Sequence, residues 1–171
     1  MTQSASRPAR LALLLALATV IHTAEALLPV TVVWFRFGFA NVIGLSTLYL
    51  FGFGDALFIT IARIFLGSLI TGMFGSPAFL LSAAGGTCSI LVMGLAYQTC
   101  GRTFSEVGIS VLGALAHNLA QLVTAYALIV RNEGVFLLLP LLMITAIATG
   151  CLNGLATRFL VTHFRKVALM G

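Results

Sequence analysis

Long apolar segments recur along this chain, each close to the length of a bilayer crossing, with short polar interruptions between them. A membrane-spanning helix needs about 20 mostly apolar residues. The first run, residues 11–28, follows Arg7 and Arg10 and stops at Pro29, whose nitrogen cannot donate into a helical ladder. Residues 30–37 form a β-branched and aromatic connection carrying Trp34 and Arg36, a composition suited to the membrane interface. Residues 38–53 predict a second span, closed by the turn Gly52-Phe53-Gly54-Asp55, and residues 56–74 a third, closed by Gly75-Ser76-Pro77. The fourth covers 78–97, and the stretch 98–106 after it is the longest polar connection. Residues 107–130 predict the fifth span, Arg131-Asn132-Glu133-Gly134 a turn, and 135 to about 157 the sixth. The expected fold is an all-α integral membrane protein: a six-helix transmembrane bundle over 11–162, with short tails at 1–10 and 163–171.

A basic start, an apolar run and Ala24-Glu25-Ala26 together imitate a secretory signal peptide. Further apolar segments follow at once, so an uncleaved first span is expected. Composition agrees with lipid as the solvent. Of the 171 residues 60% are hydrophobic and only 8% charged, which leaves a water-soluble fold almost nothing to place on its surface. The net charge of +5 comes from nine scattered Lys and Arg residues with no basic run, which argues against nucleic acid and for topology signals. Six spans put both termini on one side together with Arg7, Arg10, Arg102, Arg158, Arg165 and Lys166, against Arg36 and Arg131 on the other. By the positive-inside rule the termini are cytoplasmic, in a bacterial inner membrane. Cys88, Cys100 and Cys151 form no CxxC pair and read as small apolar fillers rather than metal ligands, so no metal or cofactor is expected. No internal repeat is visible, which weakens the case for a self-sufficient transporter built from paired halves.

Several side chains are expensive in hydrocarbon, at roughly 2.5 to 3.5 kcal/mol each on insertion scales, and so need a partner or a cavity. Ser110, Ala114, His117, Gln121 and Thr124 share one face of the fifth span, with Asn118 beside it. Thr60, Arg63, Gly67 and Thr71 form one stripe of the third, and His22 and Glu25 lie three apart near the end of the first. Following the chain through alternating crossings brings Glu25, Arg36, Asn41, Arg63, His117, Asn118 and Gln121 into the outer half of the bundle. Two readings stand. The residues either quench one another and hydrogen-bond neighbouring helices, or line a pocket open to the exterior that meets a polar or anionic ligand. Ala12-xxx-Ala16 in the first helix and Ala146-xxx-Gly150-xxx-Gly154 in the sixth are ridges that admit a close helix, inside the bundle or on a partner.

The strings Arg36-Phe37-Gly38-Phe39-Ala40-Asn41, Arg63-Ile64-Phe65-Leu66-Gly67-Ser68-Leu69, Ser82-Ala83-Ala84-Gly85-Gly86 and Leu112-Gly113-Ala114-Leu115-Ala116-His117-Asn118-Leu119-Ala120-Gln121 resemble the Gx transporter family. That family is also known as heptaprenyl diphosphate synthase component I, and the resemblance covers about 11–159. It implies kinship with the substrate-binding (S) components of energy-coupling factor (ECF) transporters, six-helix proteins that capture vitamins or similar micronutrients from outside. In those systems a transmembrane coupling protein and cytoplasmic ATPases supply the energy, and alanine-spaced ridges on the first helix, here matched by Ala12 and Ala16, dock the coupling protein. This chain has no P-loop. Prenyl transfer of the familiar type needs clustered aspartates for Mg²⁺, whereas Asp55 is the one aspartate here, so the chain is not expected to be an enzyme by itself. An accessory role beside a synthase subunit stays open, as does a membrane redox subunit with Cys88 and Cys151 at a cofactor. The leading expectation is solute capture: Arg36, Arg63 and His117 contact the polar or anionic part, Glu25, Asn41, Asn118 and Gln121 orient it, and residues 28–36 close over it.

Overall fold

The computed structural model describes residues 2–27, 38–100 and 103–170, with side chains described between 7 and 166 of that set. The described residues form six α-helices: α1 Thr2–Leu27, α2 Ala40–Phe51, α3 Phe53–Ile70, α4 Pro77–Cys100, α5 Glu106–Ala125 and α6 Leu139–Met170. A π-turn over Tyr126–Val130 prolongs α5, and a 3-10 turn over Glu133–Leu138 leads into α6. Helix α1 starts before the apolar run, with Pro8 inside it, and α6 continues well past residue 157, so helix persists where the sequence suggests polar tails.

Five stretches are long and apolar enough to cross a membrane: Arg7–Leu27, Phe53–Ile70, Pro77–Cys100, Glu106–Val130 and Glu133–Lys166. The remaining helix, α2, has 12 residues. At 1.5 Å per residue it rises only about 18 Å, short of the ~30 Å hydrocarbon layer. The expected segment 38–53 is trimmed at both ends because Gly38 and Gly52 take φ of 66° and 99°, a region glycine enters without a Cβ clash. What α2 lacks in length it makes up in burial, with Ala40 and all of 42–48 shielded by α1, α3, α4 and α6.

The start of α1 and the end of α6 lie at one end of the bundle, where Arg10 and Arg165 line a common cleft. Arg7 pairs there with Asp55 at the start of α3, Nη2 to Oδ2 at 2.7 Å. Ser105 caps α5 at the same end by accepting from Gly108 N. At the opposite end the α3–α4 hairpin is closed by Phe65, Phe74 and Phe79, with ring centroids 4.8 to 5.8 Å apart. The outer surface is apolar, as lipid contact demands: Leu137 is 84% and Phe159 74% exposed.

The two small-residue ridges have different surroundings. On α6, a Cβ added at Gly150 or Gly154 would lie 2.7 Å from Val111 Cα and 2.5 Å from Val107 Cα, so this ridge is where α5 and α6 approach most closely. Ala146 on the same ridge is fully buried. Ala12 and Ala16 on α1 instead face outward.

Candidate functional site

Away from the termini, five helices converge on a small polar cavity with about 20 Å³ of free space. Helix α1 contributes His22 and Glu25 from its last two turns. Gly38 and Asn41 come from the entry to α2, Arg63 and Ile64 from α3, Ser82 and Gly86 from α4, and His117 and Gln121 from successive turns of α5. The spacings of three on α1 and four on α5 explain the pairing, since such residues share a helix face. Two glycines supply the room. A Cβ at Gly85 would meet the His117 and Gln121 side chains at 2.9 Å, and one at Gly67 would lie 2.5 Å from His22 Cδ2. Imidazoles can therefore lie against the backbones of α3 and α4. A second hollow shares His22 and Ser82 with the first and extends past Ser68 and Thr71 to Phe79.

The entry to α2 is held from three sides. Phe39 N donates to Glu25 Oε1 at 2.7 Å, so a carboxylate sits at the positive end of that helix and satisfies one of its orphan amides. Asn153 Nδ2 of α6 donates to Gly38 O at 3.1 Å. Arg63 Nη2 donates to Asn41 Oδ1 at 2.6 Å. Arg63 is only 3% exposed, and its Nε has no hydrogen-bond partner among the described residues. Glu25 acts on it electrostatically, yet no direct ion pair to Arg63 forms among the described residues. The chain has four acids in all. Asp55 is engaged by Arg7 at the other end, and Glu106 and Glu133 begin helices elsewhere. A buried guanidinium thus faces the cavity with a neutral amide as its direct partner.

Of the seven residues singled out in the sequence, the structure brings Glu25, Asn41, Arg63, His117 and Gln121 to this one cavity. Arg36 and the connection 28–36 lie outside the described residues. Asn118 does not line the cavity: its Nδ2 donates to Leu142 O at 2.8 Å and ties α5 to α6. Residues follow one another by about 100° around a helix, so the immediate neighbour of His117 points to a different helix. Glu25 has a structural duty besides any ligand contact, as the cap on α2. His22 and Ser82 were not among the seven. The spacing of His22 from Glu25 is the signal for the first, whereas nothing in the local pattern marks Ser82 beyond the two glycines that follow it.

A family model described as heptaprenyl diphosphate synthase component I matches residues 14–160. The chain belongs to that family. The match takes in every residue lining the cavity around Arg63, so heptaprenyl diphosphate synthase component I proteins are defined over the part of the chain that builds the site. Ala12, Arg10 and Arg165 fall outside it. No curated protein and no solved structure matches the chain.

Proposed function

We propose that the chain is the membrane-embedded solute-binding subunit of an ECF-type transporter, taking a small vitamin-like or other micronutrient solute with a negatively charged group from outside the cell. One observation carries this reading: Arg63, buried in an apolar bundle, faces a cavity and has no direct counter-ion among the described residues. Burying an unpaired charge costs several kcal/mol, and an entering carboxylate or phosphate removes that penalty while forming charge-assisted hydrogen bonds. His22, His117, Gln121 and Ser82 offer further donors and acceptors around the same space. The free space among these side chains is small, about 20 Å³, so binding a solute requires them to move apart.

In this reading α2 completes a sixth crossing, the end carrying Arg7, Arg10 and Arg165 faces the cytoplasm, and the cavity opens to the exterior of a bacterial inner membrane. The outward-facing Ala12 and Ala16 are the docking ridge for a transmembrane coupling protein, and cytoplasmic ATPases working through it provide the energy. The chain itself catalyses nothing.

The family description favours a second reading, an accessory membrane component of a polyprenyl diphosphate synthase. It predicts prenyl-diphosphate synthase activity when a soluble catalytic partner is added, and an inactive mixture counts against it. The capture reading is tested by mass spectrometry of small molecules that copurify with the protein from native membranes. Wild type and a Phe159→Ala surface control retain the same anionic solute, while Arg63→Ala and His117→Ala lose it. Equal retention by all four overturns the assignment.

A further inference from the structure

The end of the bundle that carries both termini holds a separate cleft of about 380 Å³, independent of the solute-capture reading. Helices α1 and α6 each pack on α2 far more than on one another. Both run past the point where α2 stops at Phe51, so a gap is left between them with the last turn of α2 as its floor. The floor is Tyr49, Leu50 and Phe51; Arg10 of α1 forms one wall, and Phe164 and Arg165 of α6 the other. No acid lines it. Neither arginine has an ion-pair partner among the described residues, where Arg7 alone takes the nearby Asp55. The Tyr49 hydroxyl is buried and has no hydrogen-bond partner among the described residues, its ring fixed edge-on against Tyr97 at 4.8 Å.

We propose that this cleft binds one anionic phospholipid, with the headgroup phosphate between Arg10, Arg165 and the Tyr49 hydroxyl and an acyl chain against Leu50, Phe51 and Phe164. Two guanidiniums and a hydroxyl supply donors to phosphate oxygens, and the apolar floor suits only a ligand with a hydrocarbon part. Basic clefts between transmembrane helices at the water interface are where such headgroups are held. The bilayer presents the ligand at this depth at all times, which an acidic segment of a partner protein does not match. The bound lipid bridges α1 and α6, which pack little on one another, and so stabilises the terminal end of the bundle.

The purified full-length protein in neutral detergent is titrated with phosphatidylglycerol, with phosphatidylcholine and with inorganic phosphate, and thermal unfolding is followed. Phosphatidylglycerol raises the unfolding midpoint; the other two do not. Two charge-assisted contacts are lost in the double variant Arg10→Gln/Arg165→Gln, so the phosphatidylglycerol concentration for half the effect rises about tenfold or more, while Arg131→Gln at the far end leaves it unchanged. An unaltered response in the double variant, or an equal response to phosphatidylcholine, overturns the proposal. So does a response to inorganic phosphate alone, which makes the cleft a simple anion site, or no response in wild type, which leaves it to a protein partner. Should the double variant fail to fold, a photoactivatable phosphatidylglycerol is crosslinked to wild type and the adduct mapped. Adducts in peptides spanning 49–51 or 164–165 support the site, and adducts confined to other regions reject it.

Discussion

Arg63 carries a buried charge, 3% exposed, whose direct hydrogen-bond partner is the neutral Asn41. An arginine placed for stability alone is expected to have a carboxylate beside it, because removing both from water is otherwise unfavourable. Arg63→Met therefore has opposite effects on two measurements. Solute affinity falls by roughly ten- to a hundredfold, the loss of a charge-assisted contact worth about 1.5–3 kcal/mol. The unfolding midpoint without solute stays level or rises, since a similar-length apolar chain replaces a buried charge that no carboxylate among the described residues contacts directly. A large drop in the ligand-free midpoint identifies Arg63 as a structural residue instead. Asn118 gives the converse. Its bond to Leu142 O serves packing, so Asn118→Leu lowers stability by about 1 kcal/mol, the usual scale for an interhelical hydrogen bond in a membrane, and leaves solute affinity intact. These two residues mark how far a sequence reveals a site. Counting expensive side chains on spans finds Arg63, His117, Gln121, Asn41 and Glu25. It cannot separate those facing a void from one satisfied by a backbone carbonyl, because Leu142 O has no signature in the sequence.

The elements follow the same division. Apolar run length and the Gly and Pro turns predict the long helices α3, α4 and α5 to within a few residues, because lipid permits only fully hydrogen-bonded backbone between the interfaces. The expected second span, 38–53, overruns α2 by two residues at each end, because Gly38, Phe39, Gly52 and Phe53 are as apolar as a helix interior while the two glycines take positive φ. Small-residue ridges look alike in sequence, and only packing tells them apart. On α6 the ridge is filled by α5, so Gly154→Leu, whose Cβ meets Val107 backbone, is expected to cost about 1–3 kcal/mol of overpacking, read as a lower unfolding midpoint in detergent. On α1 the ridge is outward, so Ala12→Leu/Ala16→Leu leaves both midpoint and solute affinity unchanged while abolishing copurification of a membrane coupling partner. A double variant that unfolds at much lower temperature than wild type places this ridge inside a helix contact and removes the docking assignment.

At the scale of the molecule, polarity is distributed between two ends with different chemistry. One end gathers Arg7, Arg10 and Arg165 around the α1 and α6 termini, while the cavity with Arg63, His22 and His117 lies toward the other, under the aromatic hairpin of Phe65, Phe74 and Phe79. The alternation of helix direction that produces this arrangement is legible from segment order. Which end meets the cytoplasm is an inference from cation bias, since hydropathy is indifferent to direction. Orientation is measurable by thiol labelling in intact cells, in a background with Cys88, Cys100 and Cys151 replaced by alanine. Glu133→Cys, on the turn leading into α6, reacts with a membrane-impermeant maleimide before lysis, and Lys166→Cys, on the exposed end of α6, reacts only after permeabilisation. The reverse order turns the cavity toward the cytoplasm, and capture from outside then has no route to Arg63. If both positions react in intact cells, the chain makes an even number of passes between them and α6 does not cross. Glu133 and Lys166 bracket a single stretch of 34 residues apolar enough to cross the membrane, so opposite reactivity requires α6 to traverse it fully.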